Sequence, residues 1–231
     1  IMEFMIIYGY NFIDEFLEAI FNYSMNCFDI PNTSFCEATL FFWGEVAQYE
    51  FMKIIQREQI KGIIEQSAMA ILQICKNIFD NANLSDVLSI SSDAYSLVST
   101  AQATITNFFK CAPATVFEII TNKFQIFETG FSPFTTFSFL SSIAIETKSL
   151  PFAIDFLLFI HDNWENILSL ENQVFSEPTL SQDENMICTR AYALILLKKL
   201  VNTLYIFPKL PLKPEPENPT KKLDDIFTLI K

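Results

Sequence analysis

Glycine is scarce in this chain: 4 of the 231 residues are Gly, whereas 25 are Phe. All-β and Rossmann-type chains use glycine wherever a tight turn or a phosphate loop requires an unusual backbone conformation. The low glycine content therefore argues against both classes. The sequence also contains no G-x-x-x-x-G-K-[ST] or G-x-G-x-x-G pattern, so no phosphate-binding loop is expected.

Histidine is almost absent as well, and this limits the possible catalytic sites. His161 is the only histidine, and it falls within an apolar stripe, so we interpret it as a core residue with Asp162 pointing away. Asp224 and Asp225 lack a third carboxylate at the spacing that a magnesium site needs, which favours a solvated helix N-terminus. We therefore expect no enzymatic activity and no cofactor.

Paired cysteines are missing too. The five cysteines are widely spaced and form no C-x-x-C motif. This pattern predicts free thiols in a reducing compartment, without a disulfide framework. Zinc sites need four Cys or His ligands close together, and no such cluster occurs in the sequence, so no metal site is expected.

Long uncharged runs are also lacking, although the chain is apolar. The two richest stretches, residues 150–160 and 191–206, are interrupted by Asp155 and by Lys198 and Lys199. Neither provides the roughly 20 uncharged residues of a spanning helix, so we expect no membrane insertion. Apolar residues make up 51% of the chain and charged residues 18%, which excludes a disordered tail.

Basic residues are missing from the first 52 positions, which contain eight acids, and the net charge of the chain is -12. An acidic surface repels nucleic acid and attracts basic partners. Acidity also keeps an apolar protein soluble, and both interpretations remain open. The candidate partner-binding surface consists of N-terminal acids, namely Asp14, Glu15, Glu18, Glu45 and Glu50.

Helical periodicity recurs along the whole chain, while alternation with a period of two is scarce. The predicted helices cover residues 3–28, 34–47, part of 51–79, 92–112, 113–127, 133–145, 151–168 and 184–207. Ser34 and Glu37 have the spacing of a capping box, which marks the second helix start. Residues 171–183 are predicted to form an acidic loop.

Consecutive helix starts in the middle of the chain lie about 20 residues apart, so two helices form a unit of about 40, near the period of HEAT repeats. One helix pair cannot bury its apolar side alone, which is why such pairs stack. The predicted fold is therefore all-α, with antiparallel helix pairs stacked as a HEAT-like α-solenoid over residues 1–207. A Pro-rich linker at 208–219 and a short terminal helix at 220–231 follow.

The segment from Phe28 to Phe51 reads FDIPNTSFCEATLFFWGEVAQYEF. It resembles the importin-β superfamily, in particular the importin-13 and transportin-3 branch, where a Pro-containing loop precedes a helix of the T-L-x-F-W-x-x-L type. The matching residues are Thr39, Leu40, Phe42 and Trp43, and Val46 stands where the family commonly has Leu. The segment 101–124, which contains the sequence C-A-P, is similar to a HEAT pair of these receptors.

This resemblance implies a nuclear transport receptor found in the nucleus and the cytoplasm. Such a superhelix binds cargo proteins with basic surfaces and a Ran-type GTPase on its inner acidic surface. Phe-Gly nucleoporin repeats bind in grooves between its outer helices. Two other hypotheses remain: a HEAT-like scaffold of a phosphatase or chromatin assembly, and an all-α enzyme or carrier whose many Phe residues line a closed pocket.

Overall fold

The computed structural model describes residues 9–10, 13–29, 32–87, 92–127, 131–144, 156, 158–175, 187–191, 193–196 and 198. Every regular element within these ranges is helical, which confirms the prediction of an all-α chain. None of the helices in these ranges is both long enough and apolar enough to cross a membrane. The predicted linker at 208–219 and the terminal helix at 220–231 lie outside the described residues.

Eight α-helices are named here in chain order. They are α1 (Ile13–Asp29), α2 (Thr33–Ile55), α3 (Ile63–Asp80), α4 (Leu84–Val87), α5 (Asp93–Cys111), α6 (Pro113–Glu118), α7 (Pro133–Ile143) and α8 (Trp164–Phe175). A π-helical turn, Ile119–Lys123, continues α6. Its wider winding is visible where the Phe124 amide donates to the Ile119 carbonyl at 2.8 Å, five residues back.

Side-chain caps explain where several helices begin. Ser92 accepts from the Tyr95 amide at the start of α5, and Ser132 accepts from the Thr135 amide at the start of α7. Proline stands at the first helical position of α6 and α7. An amide at this position has no hydrogen-bond partner within the helix, so the missing N–H of proline costs no bond. The predicted starts near 92, 113 and 133 are therefore confirmed.

The predicted capping box at the start of α2 is wrong. The cap is Asn32, whose Oδ1 accepts from the Phe35 amide at 3.2 Å, so the helix begins at Thr33. Glu37 instead accepts a hydrogen bond from Ser96 on α5 at 2.5 Å. Asn is among the strongest N-cap residues, and Asn32 has the extended backbone that a cap requires. Ser34 and Glu37 are therefore not needed to cap α2.

The helix predicted somewhere within residues 51–79 is α3, which begins at Ile63 and ends at Asp80. Residues 51–55 belong to α2, which continues to Ile55. The intervening turn contains two residues with positive φ, Arg57 at 59° and Gly62 at 69°. Hydrophobic periodicity alone does not locate such a turn. The predicted apolar stripe on α3 is nevertheless buried, as shown by Ile64, Ala68, Ile71 and Cys75.

Near the end of the described chain, one predicted helix is divided into two. Residues 158–162 are helical, Asn163 forms a turn, and α8 then runs from Trp164 to Phe175. The expected acidic loop at 171–183 is therefore wrong for residues 171–175, which are helical. Ile160 and Ile167, which lie on either side of the turn, are both buried.

Helix α5 lies at the centre of the packing and contacts α2, α3, α6 and α7. Its polar side chains bond to backbone carbonyls of α2: Thr104 Oγ1 lies 3.1 Å from the Leu40 oxygen, and Asn107 Nδ2 lies 3.4 Å from the Gly44 oxygen. A Cβ at Gly44 would lie 3.5 Å from Thr104 Oγ1, which is an ordinary van der Waals contact, so this approach does not require glycine.

Helix α3 also has several neighbours. It contacts α2, α6 and α7 in addition to α5, and α1 packs on α2. Helix α7 is buried along its length from Phe134 to Ile143, because α3, α5 and α8 all pack against it.

Candidate functional site

A cleft of about 690 Å³ lies where four helices approach each other. It is bounded by the C-terminal ends of α1 and α3 and by the N-terminal ends of α2 and α5, together with the loop that follows α3. Ligand pockets in proteins occupy roughly 300–1,000 Å³, so this cleft has the size of a binding site.

The inner wall of the cleft is apolar. Val98 of α5 is 1% exposed, and the other apolar wall residues are half-buried. The six large apolar side chains that line the cleft are Met25, Phe28, Ile74, Ile78, Leu97 and Val98. These side chains belong to α1, α3 and α5, so no single helix forms the wall.

The opening of the cleft is polar and carries negative charge. Its exposed residues are three amides and three carboxylates, namely Asn77, Asn81, Asn83, Asp29, Asp86 and Asp93. None of the described residues that line the cleft is Lys or Arg. The opening therefore presents three carboxylates above an apolar wall, and one of them, Asp86, accepts from the Asn83 side chain at 2.8 Å.

Cys36 also lines the cleft, and it is the half-buried member of the five cysteines; the other four are buried. Burial raises the pKa of the Cys36 thiol above its ordinary value, and neighbouring Cys27 adds to the rise. Since the thiolate is the reactive form, a thiol with a raised pKa is a weak nucleophile at neutral pH. The position of Cys36 indicates a packing role rather than covalent chemistry.

A second polar cluster surrounds Glu50, which is 0% exposed. Its carboxylate accepts four hydrogen bonds. Oε1 accepts from the Tyr10 hydroxyl at 2.6 Å and from the Ile63 amide at 3.2 Å. Oε2 accepts from the Ile64 amide at 3.3 Å and from the Cys111 thiol at 3.8 Å. These contacts join α2, the start of α3 and the end of α5.

Glu50 supplies the N-terminal cap that α3 lacks in its own sequence. The residue before α3 is Gly62, which has no side chain with which to accept from the first amides. The Tyr10 hydroxyl extends the network by accepting from the Lys61 amide at 3.0 Å. Burial raises the pKa of Tyr10 well above its ordinary value, and its hydrogen bond to Glu50 raises it further, so the hydroxyl keeps its proton.

The structure separates the acids that the sequence grouped as a partner-binding surface. Glu18 is exposed and Glu45 is half-buried, so both reach solvent. Asp14 and Glu15 lie in α1, but their side chains fall outside what the structure describes. The assignment of Glu50 to this surface is wrong, because its carboxylate is buried and bonded on both oxygens.

His161 does not occupy the core position that we predicted. Its side chain is 24% exposed, and Nδ1 lies 3.0 Å from Oδ1 of Asp162, a residue expected to point away. His161 and Asp162 are the last two helical residues before the turn at Asn163. Among the described residues, no hydroxyl or thiol forms a hydrogen bond with this pair.

The cleft itself was not predicted from the sequence. Its apolar wall residues appeared as ordinary helix stripes, and its polar residues fall in loops and helix ends. A local signal was present: amides and acids are concentrated between Asn77 and Asp93. Comparison with protein-family models, with curated proteins and with solved structures finds no match to this chain.

Proposed function

We propose that this chain is a protein-binding scaffold built from stacked helical hairpins, and that it forms part of a nuclear transport receptor. The observation that carries the proposal is the set of helix contacts: α5 packs against both α2 and α7, and α3 packs against α2, α5, α6 and α7. Alternate helices that pack side by side are typical of HEAT-like arrays, in which each hairpin covers the apolar side of the next.

The exposed surface of α2 supports a binding role. Phe41 and Ile55 are 50% and 58% exposed, whereas Leu40 and Trp43 of the same helix are buried. Large apolar side chains on one exposed helix surface are characteristic of interaction sites. Glu45 lies between these residues along the same helix, so the surface combines apolar and acidic groups.

The resemblance of residues 28–51 to the importin-β superfamily points to nuclear transport. A direct test is capture of a GTP-locked Ran-type GTPase and of a Phe-Gly repeat peptide by the protein. Binding of the GTPase that requires GTP supports the proposal, and a GDP-loaded GTPase is the matched control. Failure to bind either probe rejects nuclear transport.

A scaffold of another assembly, such as a phosphatase or chromatin complex, is the second candidate. The observation that favours it is burial: Leu40 and Trp43, which carry part of the resemblance, are both 0% exposed. Such residues pack the core of any helical array and do not specify a partner. Stable co-purifying subunits that are insensitive to the GTPase would support this candidate.

A further inference from the structure

We propose that the cleft between α1, α3 and α5 binds a short cationic segment of a partner protein. One large apolar side chain of this segment occupies the cleft, and its Lys or Arg side chains meet the carboxylates at the opening. The inference rests on the proposed scaffold function and gives the chemistry of the partner at this one site.

The first support is that the volume and the apolar wall of the cleft suit a short peptide with a large apolar side chain. A cleft of about 690 Å³ exceeds a single side chain and accommodates a short stretch of peptide. Phe28, Ile74 and Leu97 present apolar surface from three different helices. Transfer of an aromatic or aliphatic side chain from water onto this wall is favourable, because it removes apolar surface from water on both partners.

The second support is the sign of the charge at the opening. Asp29, Asp86 and Asp93 come from α1, α4 and α5, so the carboxylates surround the opening from separate directions. No Lys or Arg stands among the described lining residues. A ligand with positive charge next to its apolar group therefore finds complementary charge there.

The helix N-termini at the cleft are capped by side chains of the chain itself. The start of α2 is capped by Asn32, which accepts from the Phe35 amide, and the start of α5 is capped by Ser92, which accepts from the Tyr95 amide. These caps satisfy amides that could otherwise bind phosphate or carboxylate. The remaining exposed charge is carboxylate, which selects cations.

The amides at the opening favour a peptide over a simple amine. Asn77, Asn81 and Asn83 are exposed along one edge of the opening. Asn77 Oδ1 accepts from Gln73, Asn81 Nδ2 donates to the Asn77 carbonyl, and Asn83 Nδ2 donates to Asp86. The Asn77 Nδ2 group and the Asn81 Oδ1 atom can pair with the C=O and N–H groups of a peptide backbone. A small amine offers no such backbone.

The experiment uses a dye-labelled pentapeptide, Lys-Lys-Phe-Lys-Lys, and measures its fluorescence anisotropy with the full chain. We expect saturable binding that weakens as salt increases, because the charge contacts lie at the exposed opening. Replacement of the Phe by Ser in the peptide should weaken binding at least about tenfold, since the cleft then remains hydrated. A Glu-Glu-Phe-Glu-Glu peptide should not bind.

A triple variant tests the role of charge. Combining Asp29→Asn, Asp86→Asn and Asp93→Asn should weaken peptide binding about 5- to 30-fold, as three exposed charge pairs are lost. The matched control combines Glu65→Gln, Glu118→Gln and Glu165→Gln, which are exposed acids outside the cleft. This control changes the net charge by the same amount and should keep affinity within about twofold.

Cys36 provides a readout of position. Saturating peptide should slow its alkylation by iodoacetamide at pH 8 at least about fivefold, because the thiol lines the cleft and the other four cysteines are buried. Mass spectrometry of the alkylated peptide identifies the modified residue. Circular dichroism of both triple variants verifies that each remains helical.

Three results would overturn the inference. The first is an equal loss of peptide affinity in the triple variant and in its control. The second is that saturating peptide does not slow alkylation of Cys36. The third is that the small amine phenethylammonium slows this alkylation as much as the peptide does at the same concentration. Each of them leaves the GTPase capture and the co-purification tests unaffected, since those depend on the rest of the surface. Failure of the cleft and failure of the scaffold function are therefore distinguishable.

Discussion

The Tyr10 hydroxyl donates a 2.6 Å hydrogen bond to Oε1 of Glu50, and the two residues are forty positions apart in the chain. The same carboxylate holds the first amides of α3 through Ile63 and Ile64. A single buried side chain of α2 thereby fixes the start of the next helix and the segment around Tyr10. This relationship makes Glu50 a structural residue, and it suggests a first prediction.

Replacement of Glu50 should destabilise the fold. In Glu50→Gln, one carboxylate oxygen becomes an NH₂ group that faces backbone donors, so a buried amide loses its acceptor. We expect the free energy of unfolding to fall by about 2–3 kcal/mol in urea titration. Glu45→Gln, which changes a half-buried acid on the same helix, should stay within about 0.5 kcal/mol.

A double-mutant cycle with Tyr10→Phe isolates the hydroxyl contact. If Tyr10 and Glu50 interact as the geometry indicates, the double variant should lose less stability than the sum of the two single losses. A coupling energy near zero would contradict a direct hydrogen bond between them.

Trp43 and Phe41 lie two residues apart on α2, and their truncation should destabilise the fold to very different extents. Trp43 is 0% exposed, and Phe21 and Phe42 pack edge-on against its ring at 6.1 and 5.6 Å. We expect Trp43→Ala to lower the free energy of unfolding by about 3–5 kcal/mol. Phe41→Ala removes a side chain that is 50% exposed and should cost under about 1 kcal/mol. Similar losses in both variants would contradict the orientation of α2.

Two glycines provide a second matched pair. Gly62 has φ of +69°, where an L side chain is strained, so Gly62→Ala should destabilise by about 1 kcal/mol. Gly44 lies within α2, and an added Cβ would meet Thr104 Oγ1 at 3.5 Å, an ordinary van der Waals contact. Gly44→Ala should therefore raise stability by about 0.5–1 kcal/mol through helix propensity. Thermal unfolding of the two variants checks both signs.

Alkaline pH should destabilise the chain through buried thiols. Burial raises the pKa of Cys111 from its ordinary value of 9.0 to about 12, and the neighbouring Glu50 carboxylate adds to the rise. The folded state therefore keeps a proton that the unfolded chain loses, and stability falls as pH rises between about 9 and 12. Urea titrations in reducing buffer should show a shallower decline for Cys111→Ala than for the wild type. An unchanged slope would contradict this assignment.

The solvent-accessible acids of the N-terminal helices provide a test of partner binding. Glu18→Lys combined with Glu45→Lys should weaken capture of a basic partner and reduce the salt dependence of that capture. The control for net charge changes two exposed acids elsewhere, combining Glu118→Lys on α6 with Glu165→Lys on α8. Unchanged binding in the first pair would remove these acids from the interface.

The outcome for Glu50 shows why sequence reasoning failed at the acidic surface. Glu50 and Glu45 are the same residue type, and they lie five positions apart on one helix. Which of the two reaches solvent depends on the neighbours that pack against α2, here α3 and α5. Composition records the charge of a side chain, but burial and hydrogen bonding decide whether another protein can reach it.

Helix α7 shows a similar limit for architecture. Its start at Pro133 follows from Ser132 and proline chemistry, which act within a few residues. Its burial depends on contacts with α3, α5 and α8. Helix α3 ends 53 positions before Pro133, and α8 begins 31 positions after it. Spacing of helix starts could not indicate this, because it contains no information on how many neighbours each helix will have.

The amino-acid sequence by itself determined that this protein is helical, since apolar periodicity, caps and prolines act through local geometry. It also determined the apolar stripes of α2, α3 and α5, because only one side of each helix could be buried. Tertiary structure alone decided that Glu50 caps a distant helix and that Asp29, Asp86 and Asp93 meet at one cleft. The physical reason is that burial and charge proximity arise from contacts between segments far apart in the chain, which local patterns do not specify.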